Sequence, residues 1–308
     1  MIFDFFKLIF GSQTRLLVYG ANGWIGGMYI DYLKKHHPEI KYSIGKARVD
    51  SEDELEDEIL MLKPTNIISF IGRTHGTIDG VNINSIDYLE YPGKIVENIK
   101  DNLFAPVFLA SICVNYDIHY TYIGTGCIFN TDSTHDNFLE HDLPNYFGSE
   151  YSIVKGYTDR LMQSFSRNVL NLRIRMPISS TPHPRNFITK ICKYPKICSM
   201  YNSMTVLDDF FPIFTDLLFT RTIGTYNCVN PGLINHNDIL TRYRNLIDPG
   251  LKWENMTLAE QSTMLKSERS NNLLNTNKII TDYPSLPNID KSINNVLMKM
   301  KINLLSNN

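Results

Sequence analysis

The chain has 308 residues, 43% of them hydrophobic and 20% charged, with a formal net charge of −2. That length suggests about two domains of ordinary size, and the composition is that of a globular protein. With 30 basic against 32 acidic side chains, nothing predicts a broad cationic face for nucleic acid or an anionic membrane, so phosphate recognition should be local.

The opening run, MIFDFFKLIF, is apolar but lacks a basic leader and is too short to cross a bilayer. We expect a packed or frayed extension. The βαβ rhythm begins with RLLVYG (15–20), an apolar run ending in glycine, as in a strand buried on both faces. A helix follows and must stop before Pro38. EIKYSIG reads as a second strand. SEDELEDEILMLKP reads as a helix opened by a Ser51–Glu54 capping box, with Leu55, Ile59 and Leu62 on one face. NIISFIG (66–72) is a third buried strand, followed by a polar loop. KIVENIKDNLFAPVFLASICVNY predicts one long helix bent at Pro106. Then come the strand HYTYIGTGCIFN, the helix EYSIVKGYTDRLMQSF and the strand VLNLRIRM (169–176). From Pro177 the rhythm breaks, and TYNCVN (225–230) reads as a return to the sheet.

This alternation predicts an α/β fold: a Rossmann-like doubly wound parallel sheet over 14–177, with a return segment near 203–230. A smaller, mixed α/β C-terminal substrate lobe over 178–308 completes it. The five cysteines, at 113, 127, 192, 198 and 228, are odd in number and form no CxxC pair. That argues against a disulfide framework or structural zinc and fits a reducing cytoplasm. The eight histidines form no HExxH, so no catalytic metal is expected.

Between the first strand and helix lies Gly20-Ala21-Asn22-Gly23-Trp24-Ile25-Gly26, a GxxGxxG turn. Glycines there permit a tight turn and close approach of backbone to a pyrophosphate, and the helix N-terminus offers free N–H groups. A dinucleotide cofactor is expected on these residues. The second strand ends in YSIGKAR, offering Lys46 and Arg48 where an acidic residue would hold the ribose 2′-hydroxyl of NAD. Two cations suit a 2′-phosphate, so NADPH is the expected cofactor.

Tyr-x-x-x-Lys spacing occurs at Tyr42/Lys46 and at Tyr151/Lys155. The second pair opens a helix just after the strand bearing Thr125, and at i,i+4 its members share a face. The lysine charge is expected to lower the tyrosine pKa for proton transfer, with Thr125 holding a substrate carbonyl oxygen. Thr125 and Cys127, spaced i,i+2 on an extended segment, should project to one face. A small buried thiol is the bland alternative for Cys127. Arg269 offers a fork suited to phosphate oxygens.

The glycine turn with Thr125, Tyr151 and Lys155 resembles the extended branch of the short-chain dehydrogenase/reductases. The resemblance implies a nicotinamide-ribose contact for Lys155, cofactor contacts for Gly72 and Asn102, and a pyrophosphate contact for Asn186. The stretches GWIGG, TGCIF, RMPISS, PRNFITKI, NSMTVLDD, NPGLINHNDIL and RSNNLL together resemble a narrower family. It is that of the bifunctional UDP-4-keto-6-deoxy-glucose 3,5-epimerase/4-reductases that complete UDP-L-rhamnose synthesis. This resemblance implies a UDP-sugar substrate and an epimerising pair at Cys127 and Lys190. It further implies a separate 4,6-dehydratase upstream and a homodimer built on the Tyr151 helix and the helix before it. The segment FIGRTHGTIDGVNINSIDYLEYPG departs from the family pattern. The remaining readings are a plain nucleotide-sugar 4-ketoreductase and a non-catalytic NADP-binding regulatory subunit.

Overall fold

The computed structural model describes residues 14–48, 51–133 and 136–306; the apolar opening run lies outside them. In chain order come strand β1 (Leu16–Tyr19), helix α1 (Trp24–His36), β2 (Tyr42–Ile44), α2 (Glu52–Leu62) and β3 (Asn66–Ser69). An antiparallel hairpin, β4 (Gly76–Ile78) and β5 (Val81–Ile83), leads to α3 (Lys94–Ile99) and α4 (Ala105–Asn115). Then follow β6 (His119–Thr125), α5 (Glu150–Ser164), β7 (Val169–Ile174), α6 (Phe187–Ile191), β8 (Lys196–Ile197), α7 (Leu207–Phe219) and β9 (Gly224–Asn227). The chain closes with α8 (His236–Leu246), β10 (Glu254–Asn255), α9 (Leu258–Met264), α10 (Asn277–Asp282) and α11 (Ile289–Ser306).

Six strands form one parallel sheet in the order β2-β1-β3-β6-β7-β9. The period-two alternation of β1 sends Leu16 and Val18 to one face and Leu17 and Tyr19 to the other. The first pair packs on Tyr29, Ile30 and Leu33 of α1 and on Phe210 and Phe214 of α7. The second packs on Leu55 and Ile59 of α2 and Leu109 and Cys113 of α4. Burial on both faces explains why the strands read as continuous apolar runs. A separate core, including Ile188, Ile191, Met204, Ile239, Leu240 and Val296, holds the C-terminal elements together.

Three local expectations are corrected. Ser51 caps α2 by position only, its side chain accepting no cap hydrogen bond. The long helix over 94–116 is two helices joined by a π-turn at Lys100–Phe104. Its irregularity therefore falls at Asn102, while Pro106 sits harmlessly in the first turn of α4. The polar loop after β3 contains the β4–β5 hairpin.

Beside the sheet, Arg173 meets Asp159 of α5 through Nη2–Oδ2 at 2.7 Å and Nε–Oδ1 at 2.9 Å, with side chains 0% and 3% exposed. Removing one member of such a pair strands the other charge without water. Asp159→Ala should destabilise the fold by about 3–5 kcal/mol, read as a lowered urea midpoint. A change below about 1 kcal/mol, the range of an exposed pair, would show that the pair is not buried in solution.

Candidate active site

The chain runs from β1 outward to β2 and returns to β3 on the other side of β1, so the connections diverge at the β1/β3 carboxyl ends. Ligands bind α/β sheets at such a switch point. A cavity of about 710 Å³ opens there, reaching from Gly23 and Gly72 past Thr125 to Lys190 and Arg269.

The β1–α1 turn depends on its glycines. Gly20 has φ +74°, and a Cβ on it would lie 2.8 Å from the Phe70 carbonyl carbon. A Cβ on Gly26 would meet the Gly20 oxygen at 2.3 Å. The turn closes by Gly23 N donating to Gly20 O at 3.0 Å. Gly23 caps α1 without a side-chain hydrogen bond, and the first turn of α1 carries no acidic residue, leaving its N–H dipoles uncompensated toward the cavity. Gly23, Trp24, Ile25 and Gly26 line the cavity. Asn22 is exposed and does not.

Gly72 and Asn102 meet as a pair at the wall. Asn102 is fully buried; its Nδ2 donates to Arg73 O at 2.8 Å and its Oδ1 accepts from Arg73 N at 3.0 Å. It thus ties the π-turn to the chain leaving β3. Lys46 and Arg48 stand exposed beyond β2 and are not among the residues lining the cavity. Below them Glu58, which sequence reasoning missed, accepts from Lys46 N at 2.7 Å, Ala47 N at 3.1 Å and the Tyr19 hydroxyl at 2.8 Å.

Thr125, Tyr151 and Lys155 converge on the cavity and are all buried. The expected tuning of the tyrosine by the lysine is corrected. The Lys155 ammonium donates to the hydroxyl of Tyr122, on β6, and lies 4.6 Å from that ring's centre. Burial pushes the Tyr151 phenol well up, Cys127 adds to this, and only the Thr125 hydroxyl opposes it. Tyr151 is therefore a neutral phenol, ready to donate its proton. Burial brings Lys155 down to about 8, against the charge of Asp159.

Cys127 lies beside this group, but not through the strand pleat. β6 ends at Thr125, and the chain turns at Gly126, with Cys127 N donating to Thr125 Oγ1 at 3.1 Å. The turn rather than the alternation brings Cys127 beside Thr125. Lys190, on α6, lines the same cavity; burial, with Arg269 and Arg185 nearby, brings it down to about 8. Arg269 is on the wall but pairs with Asp87, where burial is outweighed by Arg269 and the carboxyl falls to about 2. Asn186 is corrected: it is fully buried, away from the cavity lining, with Nδ2 donating to Ser179 O at 2.7 Å and Thr181 O at 3.0 Å. Its Oδ1 caps α6 through Ile188 N, so the amide is a structural tie.

Tyr122, His75, Arg185 and Arg175 were missed. His75 and Arg185 contact each other on the cavity wall. Burial first, then Arg185 and Arg73, brings the His75 imidazole to about 4. The run LRIRM (172–176) carried a readable signal, since two arginines in a strand otherwise apolar must find buried partners.

No helix among the described residues is long and apolar enough to cross a membrane, and no cluster of potential metal ligands is found among them. No family model matches the chain. The L780 UDP-rhamnose synthase of Acanthamoeba polyphaga mimivirus, known from a crystal structure, is 49% identical, with 93% of this chain and 99% of that one covered and a TM-score of 0.88. A bifunctional dTDP-4-dehydrorhamnose 3,5-epimerase/dTDP-4-dehydrorhamnose reductase of Arabidopsis thaliana is 37% identical over 288 residues, 92% of each chain. A trifunctional UDP-glucose 4,6-dehydratase/UDP-4-keto-6-deoxy-D-glucose 3,5-epimerase/UDP-4-keto-L-rhamnose-reductase of the same plant is 38% identical over 288 residues, covering 92% of this chain and 41% of that longer protein. Likeness at these identities over nearly the whole chain, on the parallel sheet and glycine turn described above, places it in a family: the chain belongs to the bifunctional nucleotide-4-keto-6-deoxy-sugar 3,5-epimerase/4-reductases.

Proposed function

We propose that the chain converts UDP-4-keto-6-deoxy-D-glucose to UDP-L-rhamnose by 3,5-epimerisation and NADPH-dependent reduction of the C4 ketone. The observation that carries this reading is the meeting, in one cavity, of a thiol and a lysine, Cys127 and Lys190, with the Thr125/Tyr151/Lys155 group. A plain ketoreductase needs only the second set.

NADPH bound on the β1–α1 turn would supply the hydride. The turn fits it, because Gly23 to Gly26 bring the open N-terminus of α1 to the cavity wall, along a tight backbone path that a Cβ at Gly20 or Gly26 would block by striking the chain's own backbone. Lys46 and Arg48 support the choice of the phosphorylated cofactor. In this reading the 14–177 half, with its return segment, holds the cofactor, and the 178–308 half holds the UDP-sugar.

Thr125 Oγ1 and the Tyr151 hydroxyl hold the C4 oxygen of the sugar. A ketone so held acidifies the hydrogens on C3 and C5. Cys127 and Lys190 take a proton from one face of each carbon and return one to the other, giving the L-rhamno configuration. On reduction Tyr151, kept neutral by burial, gives its proton to the C4 oxygen. Lys155, through the Tyr122 hydroxyl and the nicotinamide ribose, orders this end of the site. Arg269 and its Asp87 partner sit where a pyrophosphate could exchange with the carboxylate.

The ketone would come from a separate 4,6-dehydratase, the activity that the trifunctional relative's name places in its own chain. We place the enzyme in the cytoplasm, a reading supported by five cysteines with no disulfide among them. A homodimer through α5 and the helices before it is supported by Val96, Phe104, Tyr157 and Leu161, which are large, apolar and exposed; light scattering would test it.

Mixing the protein with UDP-4-keto-6-deoxy-glucose, or its dTDP analogue, and NADPH in D2O should consume NADPH and place deuterium at C3 and C5. Oxidation without deuterium would leave a plain reductase, and no turnover would sink the enzyme reading. Cys127→Ala should lose the exchange by at least about a hundredfold, as expected for a missing acid–base group, yet still reduce a pre-epimerised ketone. Persistence of exchange would remove Cys127 from the mechanism. Finally, burial puts Lys155 at about 8, so its ammonium is present below that pH and lost above it. Reduction of a pre-epimerised ketone should therefore fall as pH rises through 8, both in the parent enzyme and in Lys190→Met; a flat profile would deny Lys155 its role.

A further inference from the structure

Two arginines leave the end of β7 two residues apart, and both are buried. Arg173 is neutralised by Asp159. Arg175 is 1% exposed and has no carboxylate within ion-pair distance among the described residues. Its Nη2 donates to Asn202 Oδ1 at 2.5 Å and to Ser270 O at 2.6 Å. Its Nη1 donates to Ser270 Oγ at 2.9 Å and approaches Gly126 O at 3.4 Å and Cys127 Sγ at 3.5 Å. Its Nε is buried without a partner. All these acceptors are neutral except one that can become an anion, the thiol. A guanidinium does not lose its proton, so the fold keeps a full positive charge out of water with no built-in counter-charge, a costly arrangement. The position of that charge, against one thiol of five, calls for a reason.

We propose that Arg175 is the counter-cation of Cys127, a positioning residue that fixes Sγ at the cavity wall and stabilises its thiolate form. This rests on the reading of Cys127 as a proton-transfer group. The other ionisable groups facing the thiol are Tyr151 and Lys155 from α5 and Tyr146 from the segment before it. Burial drives both tyrosines up, so neither competes as an anion. In the reaction the sulfur lone pair takes the proton from a sugar carbon beside the ketone. The C–H bond breaks, the S–H bond forms, and the electron pair moves into an enolate whose charge rests on the C4 oxygen. The negative charge thus passes from the Arg175 side of the cavity to the Thr125/Tyr151 side. The Lys190 ammonium then protonates the carbon from the opposite face and cancels the charge, and the thiolate returns when Cys127 gives its proton back to the neutral amine through water. Asn202, Ser270 and the Gly126 carbonyl keep the guanidinium in place while the sulfur changes charge.

The test is alkylation of Cys127 by iodoacetamide in the full-length protein, followed by mass spectrometry of its peptide at about pH 7 and about pH 9.5, either side of an ordinary thiol. The ratio of the two rates reads the thiolate fraction at neutral pH. In the parent protein that ratio should exceed the ratio for N-acetylcysteine. In Arg175→Met it should drop about tenfold, the effect of one unit in the thiol's titration, and Arg175→Lys should restore most of it. Folding of each variant is read by circular dichroism. A folded Arg175→Met with the parent's ratio would reduce Arg175 to a structural tie. Should that variant not fold, the parent's comparison with N-acetylcysteine decides, an equal or lower ratio overturning the proposal. A raised ratio without deuterium exchange at C3 and C5 would keep the pair and overturn the epimerase reading. Exchange without a raised ratio would do the reverse.

Discussion

Desolvation of cations sets the character of this site. Lys155, Arg173, Arg175 and Lys190 are all held largely out of water around the carboxyl end of the sheet, and each is compensated differently. Arg173 has a bidentate carboxylate and is inert. Lys155 has a phenol, a distant share of Asp159 and a titration point near neutrality. Lys190 faces other cations and titrates in the same range. Arg175 has amides, a hydroxyl and a thiol. In the proposed reaction the proton transfers fall to groups beside the incompletely neutralised members of this set, because a group whose charge is fully satisfied has no reason to exchange a proton.

The sheet supplies the geometry. Parallel strands end on one side, and the divergence of the connections after β1 and β3 leaves a crevice there. Into it β1 sends the glycine turn and β6 sends Thr125 and, just beyond its end, Cys127, while Arg175, just past the end of β7, lies buried behind Cys127. The C-terminal lobe closes the crevice with Lys190 and Arg269, and its 270–272 segment is stitched to the sheet end by Arg175 and by Asn272, whose Nδ2 donates to Gly126 O at 2.9 Å and Phe129 O at 2.7 Å. A thiol placed on that junction senses both halves.

Much of this was legible in the sequence. The strand and helix order, the glycine turn and the Tyr151/Lys155 spacing follow from local periodicity and from steric rules acting within a few residues. The family likeness implied a pair at Cys127 and Lys190, and both line the one cavity. Contacts across long sequence separations were not legible. Tyr122 displaced Tyr151 as the partner of Lys155 because a side chain on the neighbouring strand is nearer than one a helical turn away. Asn186 turned inward to cap its own helix and bind two loop carbonyls. The π-turn put Asn102 under β3, where a regular helix broken at Pro106 would not have.

The sequence by itself determined the architecture, the glycine turn and the Tyr151/Lys155 spacing, since hydrophobic period, glycine sterics and i,i+4 spacing are local properties of the chain. Only the tertiary structure decided which charges those groups feel. Burial and the identity of the nearest counter-group come from residues as far apart as Cys127, Arg175 and Ser270, and no local rule brings them together.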